Sequence, residues 1–298
     1  MFIKETSLVI PTKDRREKLK KFIISIEKYV NEFKEILIVD SSQVQIHQKI
    51  AEDYLGLQNV KIYSSRPSTS LQRNIGIKNS SNESTFIMFC DDDIIFEENA
   101  LRKMNDFINN NPNYIGYGYN LIEKKKITKI ENLKKNKLLA KYGFYHFKPG
   151  IVCENGWHTK ITNLQYDCET NWLSTQACLY RKKTLNSDTL FNLKLGQYSY
   201  LEDLFFSYNL SKRGKLIVSS RSTYKHENNV TRTGIKFGII EVTNRYNFVK
   251  ENKLSKKKFY ITIFIKTIQN FLMIFLFKLN FFKKFLGNLV GIILCIIK

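Results

Sequence analysis

The feature that most constrains the fold of this chain is the alternation, through residues 1–110, of short apolar runs with longer amphipathic segments. The apolar runs are typical of buried strands and occupy residues 7–11, 35–40, 60–65 and 85–90. Helical spacing of apolar residues predicts helices after Asp14 and over residues 44–57, 68–78 and 97–110. Strands separated by helices of this length indicate an α/β fold with a doubly wound, mostly parallel sheet.

Polar or charged residues follow each predicted strand. In chain order they are Thr12 and Asp14, then Asp40, then Arg66, then Asp91, Asp92 and Asp93. Ligands of doubly wound sheets bind beyond the carboxyl ends of the strands. These four segments are therefore expected to line one binding crevice.

The three consecutive aspartates Asp91, Asp92 and Asp93 are the sharpest chemical signal. Their mutual repulsion at the end of a buried strand costs free energy unless a cation is present. Carboxylates at positions i and i+2 can hold a hard divalent ion such as Mg²⁺ or Mn²⁺. A metal would also replace the glycine-rich phosphate loop, since the chain has no such motif. The alternative is an acidic turn that caps the helix near Glu97.

Other single residues leave two interpretations open. Asp40 fits a hydrogen-bond acceptor for a nucleotide base or ribose, or a helix cap. Arg73 fits a phosphate contact, or an ion pair with Asp91 or Asp93.

The second half of the chain has further strand-like runs at residues 116–122, 173–181 and 215–220, and a helix pattern over residues 201–212. Glu202 and Asp203 begin that helix, where the helix dipole stabilises acidic side chains. A general base is the second interpretation of this pair. His226 follows the last strand. A lone histidine of this kind is structural unless the fold brings it to the aspartates.

The net charge of +21 is concentrated in two regions. Residues 123–149 contain nine Lys against two Glu, and residues 245–298 contain eleven basic residues against one acidic residue. Basic clusters beside an apolar tail favour an anionic membrane surface over nucleic acid. No nucleic-acid partner is expected. A nucleic-acid-binding or membrane-surface protein without catalysis is the non-enzymatic alternative.

The C-terminal stretch is rich in Phe, Ile and Leu, but no window of 18 residues in it is free of Lys and Asn. A membrane-spanning helix is therefore not expected. At helical spacing its polar residues share one side: Thr262, Lys266, Gln269, Asn270, Asn280, Lys284 and Asn288. This pattern predicts helices that lie in a membrane interface, with lysines reaching acidic head groups. The alternative is a pair of core helices packed under the domain.

The chain begins without a signal-peptide pattern, and its five cysteines include no C-x-x-C pair. The expected location is the cytoplasm, peripheral on the inner face of the cell membrane through the tail.

Six segments in order resemble the family-2 glycosyltransferases of the GT-A fold over residues 5–250: PTKDR, ILIVDSS, SLQRNIGI, FIMFCDDDI, YLEDLFFSYNLSKRG and EVTNRYNFVKEN. The resemblance implies a Rossmann-like GT-A domain over residues 1–250, with a nucleotide-binding half (1–115) and an acceptor half (116–250). A basic, apolar, membrane-associating helical tail over residues 251–298 would follow.

The resemblance also implies site residues. Those expected to bind the nucleotide are Pro11, Thr12, Asp14, Arg15, Asp40, Arg66, Arg73 and Asp92. The expected metal ligands are Asp91, Asp93 and His226, with Asp93 favoured as the direct ligand. Asp203 would be the catalytic base, and Glu202 would contact the acceptor. Asp14 and Ser41 depart from the family pattern, which usually has Asn and a second acidic residue there.

The implied activity is inverting, Mn²⁺- or Mg²⁺-dependent transfer of one sugar from a nucleotide-diphosphate sugar, with a UDP-sugar favoured. The acceptor would be a hydroxyl of a lipid-linked or cell-surface glycan. The Q-x-x-R-W motif of processive synthases is absent from the sequence, which favours single addition. A sugar nucleotidyltransferase is the alternative enzyme, but the PTKDRREK segment lacks the glycine-rich loop that such an enzyme needs.

Overall fold

A computed structural model of the protein describes residues 1–123, 137–226, 232–273 and 280–297. The chain forms two compact units. The sheet unit comprises Met1–Lys125 and Lys160–Asn228, and the helical unit comprises Lys126–Thr159 and Asn229–Lys298. These compact units are defined by contacts and do not test the predicted boundary at residue 250 between a GT-A domain and a tail, which stays a prediction.

Among the described residues, nine strands form one sheet. The strands are β1 (Thr6–Thr12), β2 (Glu35–Asp40), β3 (Val60–Ser64), β4 (Phe86–Cys90), β5 (Ile94–Phe96), β6 (Gly116–Leu121), β7 (Cys168–Thr170), β8 (Ala177–Arg181) and β9 (Leu216–His226).

The helices of the described residues are α1 (Arg16–Ser25), α2 (Glu27–Val30), α3 (Val44–Asp53), α4 (Thr69–Asn79), α5 (Ala100–Asn110), α6 (Lys137–Lys141), α7 (Glu202–Ser211), α8 (Ile235–Glu251), α9 (Lys256–Leu272) and α10 (Asn280–Ile297). Short 3₁₀ turns cover Phe2–Glu5, Lys182–Thr184, Ser187–Thr189 and Leu193–Leu195.

The strand order is β3-β2-β1-β4-β8-β6-β9-β5, and β7 also pairs with β9. The first four strands are parallel to one another, which confirms the predicted α/β arrangement. Strand β8 inserts antiparallel between β4 and β6. The short strands β5 and β7 pair antiparallel with β9. The antiparallel pairings were not predicted, because strand direction in the second half depends on long-range contacts.

Several predicted boundaries differ from the structure, among them the start of β8, which is Ala177 rather than residue 173. Helix α3 ends at Asp53 rather than residue 57. Helix α5 begins at Ala100 rather than at Glu97, because Asn99 adopts a left-handed φ of 59° that a helix cannot include. Strand β9 continues to His226 because its end pairs with β5.

Strands β1, β2 and β4 are buried along their whole length. Helix α4 lies unusually close to β1 because Gly76 faces Val9. A Cβ atom at Gly76 would lie 2.3 Å from Val9 Cγ1. Glycine in a helix interior costs roughly 1 kcal/mol relative to alanine, and here it permits the close approach that holds α4 over the strand ends.

The helical unit is built around α8, α9 and α10. Glycines let α8 and α10 approach closely, since a Cβ at Gly238 would lie 2.5 Å from the Lys284 carbonyl oxygen, and a Cβ at Gly287 would lie 2.2 Å from the Ile235 carbonyl oxygen. Within the described ranges, α10 is the helix that is long and apolar enough to cross a membrane, judged by length and composition alone, with a mean hydropathy of 1.6.

Candidate active site

The carboxyl ends of β1 and β2 are joined by a buried side chain of α4. Gln72 Nε2 donates to the carbonyl oxygens of Thr12 and Val39, each at 2.7 Å. The Ser41 backbone N–H donates to the same Thr12 oxygen at 3.0 Å. Gln72 thereby satisfies backbone acceptors that would otherwise face an apolar interior. The sequence analysis did not identify it, because a helical glutamine gives no local sign of such a role.

The three aspartates lie in the turn between β4 and β5, directly beside the end of β1. Asp92 and Asp93 are 3% and 6% exposed. Asp92 Oδ2 accepts a hydrogen bond of 2.7 Å from Thr12 Oγ1. Burial raises the pKa of Asp92 to about 6, although Thr12 and Arg15 oppose the shift. The structure thus brings together Thr12, Arg15 and the aspartates, as expected.

Cationic side chains of the protein itself face these carboxylates. Arg15 Nη1 lies 3.2 Å from Asp92 Oδ1 and 3.1 Å from Asp93 Oδ2. Lys18 Nζ, on the first turn of α1, lies 3.8 Å from Asp93 Oδ2. Lys18 was not predicted, although its place in the basic start of α1 was visible in the sequence. The repulsion among the aspartates is therefore partly offset by side chains from the segment after β1.

Arg73 is the central buried cation of the site and is 1% exposed. Its Nη2 lies 2.7 Å from Asp91 Oδ1 and its Nη1 lies 2.9 Å from Glu202 Oε1. The guanidinium also lies over the Phe191 ring, 5.5 Å from the centroid. Burial opposes the charge, but Asp91 and Glu202 together raise the pKa of Arg73. Of the two ion pairs considered from the sequence, the structure contains the one with Asp91.

Glu202 and Asp203 form the first turn of α7, directly after Leu201, which has a left-handed φ of 74°. Burial raises the pKa of Glu202, and Arg73 opposes this rise. Asp203 Oδ1 accepts a hydrogen bond of 2.7 Å from the Leu204 N–H. Arg73 therefore connects the aspartate cluster to Glu202, the residue predicted to contact the acceptor.

Asp40 ends β2 with both carboxylate oxygens engaged. Oδ1 accepts from the Ser42 N–H at 2.9 Å, and Oδ2 lies 2.8 Å from His47 Nδ1. His47 Nε2 in turn lies 3.2 Å from Ser64 Oγ at the end of β3. His47 is a second residue that sequence reasoning missed. Its position in the first turn of α3, seven residues after Asp40, was the available signal.

The remaining predicted nucleotide contacts differ in their surroundings. Asp14 is exposed, adopts a left-handed φ of 53°, and accepts from the Gln43 N–H at 3.2 Å. Pro11 is buried within β1, opposite Val39 of β2. Arg66 is exposed beyond β3 and forms no ion pair with a described residue. The structure therefore brings Asp14 to the β2 end of the crevice, but does not place Arg66 among the carboxylates.

His226 reaches the aspartates through strand pairing. Strand β9 is antiparallel to β5 with Ile94 opposite His226, so His226 is the partner of the residue that follows Asp93. His226 Nε2 lies 3.0 Å from Asp93 Oδ1. The fold therefore brings His226 to the aspartates, which is the condition for a role of this histidine at the acidic cluster.

The donor set at this point fits a divalent cation in part. A carboxylate and an imidazole in contact, Asp93 and His226, suit Mn²⁺, and Mg²⁺ or Mn²⁺ commonly complete their shells with phosphate oxygens and water. Asp91 Oδ1 is engaged by Arg73. In the part of the chain that the structure describes, no three His, Cys, Asp or Glu side chains form a ready-made metal cage.

Comparison with known proteins decides the family. Residues 7–181 match the family model "Glycosyl transferase family 2" and include every strand end described above except that of β9. The chain belongs to glycosyl transferase family 2. It is therefore a glycosyltransferase, as the resemblance implied.

A curated relative of this glycosyltransferase is the minor teichoic acid biosynthesis protein GgaA of Bacillus subtilis (strain 168), 28% identical over 219 residues. The match covers 69% of this chain and 43% of GgaA, so the chain spans less than half of that relative.

Two solved structures share the fold. Residues 1–349 of TarS from S. aureus, in complex with UDP-GlcNAc, align with a TM-score of 0.53 at 15% identity, covering 82% of this chain and 66% of that one. GalNAc-T7 with UDP, GalNAc and Mn²⁺ aligns with a TM-score of 0.51 at 14% identity, covering 74% of this chain and 43% of that one. These likenesses confirm the predicted GT-A-type α/β fold.

Proposed function

We propose that this glycosyltransferase transfers one sugar from a UDP-sugar to a hydroxyl of a cell-surface or lipid-linked glycan, with inversion and without processive extension. The observation that carries the proposal is the buried bridge of Arg73 between Asp91 and Glu202. It connects the acidic strand end, where a nucleotide diphosphate would bind, to the helix that carries a candidate base. A solved relative in fold holds UDP-GlcNAc, which supports a UDP-sugar donor.

The nucleotide would occupy the ends of β1, β2 and β4. Asp40, held by His47 and Ser42, is the proposed contact for the base or ribose. Arg15 and Arg73 would lie near the diphosphate, since both already contact the aspartates at the end of β4.

A divalent metal, Mn²⁺ or Mg²⁺, would be held by Asp93 and His226, with Asp91 as a further candidate ligand. When bound, the metal supplies a Lewis acid that neutralises charge on the departing nucleotide diphosphate. A GT-A relative in fold was solved with Mn²⁺, which supports this choice.

Asp203 is the proposed base that takes the proton of the acceptor hydroxyl as its oxygen attacks the anomeric carbon. Its carboxylate sits at the first turn of α7, where the helix dipole favours the ionised form. Glu202, fixed by Arg73, would orient the acceptor. Attack opposite the leaving diphosphate gives a single displacement with inversion.

The proposed acceptor belongs to cell-surface polymer synthesis, because the curated relative is named for minor teichoic acid biosynthesis. The proposed location is the cytoplasmic side of the cell membrane, with the tail attached peripherally to an anionic surface. The basic residues around α9 and the apolar α10 support this attachment.

The donor is tested by thermal unfolding of the full chain with UDP, GDP, dTDP and CMP, each with and without Mn²⁺. A ligand that binds only the folded state raises its stability by about 2.7 kcal/mol at a hundredfold excess over its dissociation constant. A metal-dependent rise with UDP alone is expected. A rise with another nucleotide, or with none, would refute the proposed donor.

The base is tested by UDP release and sugar transfer with D203N, against the matched control D188N at an exposed aspartate. The proposal expects D203N to lose transfer while keeping its UDP-dependent stabilisation. Transfer by D203N at the rate of D188N would exclude Asp203 as the base.

A further inference from the structure

The hairpin of α9 and α10 buries several polar side chains and exposes many large apolar ones. Asn288 is 0% exposed, and Thr267 and Asn270 are also buried. Exposed large apolar side chains occur along both helices: Ile261, Phe264, Ile265, Ile268, Phe271, Leu272, Phe282, Leu289, Val290, Ile293, Leu294, Ile296 and Ile297. We call these thirteen residues the apolar face. Of the polar side recognised in the sequence, Asn270 and Asn288 are buried in the helical unit, whereas Gln269 and Asn280 are exposed.

The buried polar groups satisfy one another. The side-chain amide group of Asn288 lies 3.5 Å from Thr267 Oγ1. With its amide turned to suit its neighbours, Asn288 donates to the Gly238 carbonyl oxygen at 3.3 Å and accepts from Asn270 Nδ2 at 3.1 Å. Buried polar side chains are normally satisfied in this way, so these groups need no partner outside the helical unit.

Lys284 belongs to the same interior layer. Its Nζ lies 3.0 Å from Glu241 Oε2 of α8 and 5.1 Å from the centroid of the Phe237 ring. Both side chains of the ion pair are largely buried. The expectation that Lys284 reaches acidic head groups is therefore not met.

Charge at the ends of the hairpin identifies the occupant of the apolar face. Neither α9 nor α10 contains an acidic residue. Lys256 and Lys257 are exposed at the start of α9, and Lys283 is exposed at the start of α10. Lysines that flank an apolar surface match the head groups of a bilayer. A second copy of the chain would instead bring like charges together.

A groove suited to hydrocarbon adjoins the apolar face. A cavity of about 380 Å³ is lined by Tyr260, Ile261, Ile263, Phe264, Ile265 and Ile292. These side chains present almost no polar surface, so an acyl chain fits the groove without leaving a polar group unpaired.

The geometry points to a hairpin whose apolar face is inserted among the acyl chains of a bilayer, with the lysines at the helix ends at head-group level. This inference deepens the proposed membrane attachment and rests on it. Insertion of the apolar face attaches the protein to the bilayer, and attraction of the lysines to anionic head groups strengthens this attachment. Binding should therefore persist in neutral vesicles and at high salt, because apolar burial is not screened by ions.

The test uses the full chain with vesicles of phosphatidylcholine, with or without phosphatidylglycerol, in flotation assays at low and high salt. F264E/I293E is compared with L55E, which changes an exposed apolar residue of the sheet unit. We expect the unaltered chain and L55E to float with neutral vesicles at high salt, and F264E/I293E to lose at least tenfold in binding. Melting curves with UDP and Mn²⁺ show whether each variant is folded.

A second measurement reports how deeply the apolar face enters the bilayer. Fluorophores on Cys introduced at Phe264, Ile293 or Lys257 are read with nitroxide lipids, since the five native cysteines are buried. Labels at Phe264 and Ile293 should be quenched by acyl-chain nitroxides, and the label at Lys257 by head-group nitroxides.

Three outcomes overturn the inference. Binding that requires phosphatidylglycerol and vanishes in high salt would show attachment by charge alone. Quenching of all three labels only at head-group depth would show a hairpin on the surface. Protection of the labels by self-association without lipid would assign the apolar face to a second copy. A missing UDP response with intact vesicle binding would instead refute the donor proposal and leave this inference standing.

Discussion

Removal of the Arg73 guanidinium is the perturbation whose consequences the structure defines most closely. In R73M the apolar contact with Phe191 is largely kept, while Asp91 and Glu202 lose their shared cation. Breaking a buried ion pair by removing one partner typically costs about 3–5 kcal/mol. The Asp91 and Glu202 side chains remain 26% and 17% exposed, so water relieves part of this penalty. We expect a loss of about 3 kcal/mol in the free energy of unfolding.

The pH dependence separates this cause from a packing defect. Burial raises the pKa of both Asp91 and Glu202 in the folded protein, and removal of Arg73 raises them further. A carboxyl group with a raised folded pKa gains stability as pH falls toward its unfolded value, which is about 4. The difference between R73M and the unaltered protein should therefore shrink as pH is lowered from neutral toward 4.

The assay is urea unfolding across this pH range, with R102M as a matched control. Arg102 is exposed on α5 and pairs with no described residue, so its replacement should cost less than about 0.5 kcal/mol. E202Q in the R73M background should recover part of the loss, because one uncompensated carboxylate is removed. R73M as stable as R102M, or a deficit that does not vary with pH, would refute the reasoning.

Three further predictions follow from single contacts. G76V should lower the free energy of unfolding, measured in urea, by about 1–3 kcal/mol through overpacking against β1. The control G56A should be close to neutral, because no atom lies within 4 Å of a new Cβ there. Equal stability of the two variants would show that α4 can move away from β1. Because burial raises the pKa of Asp92 to about 6, this group alone should cost metal-free protein on the order of 2 kcal/mol as pH rises from 4 through 6. D92N should reduce the pH slope of stability by that amount, and an unchanged slope would contradict the prediction. H47A should raise KM for the UDP-sugar several-fold with little change in kcat, because Asp40 loses the imidazole that orients it; a fall in kcat alone would contradict this role.

The sequence by itself determined the first half of the fold. Strands β1, β2 and β4 are nearly continuous apolar runs, because parallel strands covered on both faces have no solvent side to alternate with. The helices between them fix strand direction, and strand direction places every polar strand end at one edge of the sheet. The crevice at Thr12, Asp40 and Asp91 could be predicted for that reason, as could the family.

Contacts between distant segments were beyond the sequence. That Arg73 also pairs with Glu202 depends on how α4 and α7 meet at the sheet, and that His226 touches Asp93 depends on the register of β9 against β5. Such pairings are set by packing over more than a hundred residues of chain and leave no periodic trace in it.

The tail shows the same division. Helical spacing revealed that its polar residues share one side, but spacing is identical whether that side faces water or another helix. Gly238 and Gly287 let α8 and α10 approach closely enough to cover part of that side, so Asn288 and Lys284 are satisfied within the helical unit. Only this packing decided that the apolar residues face outward.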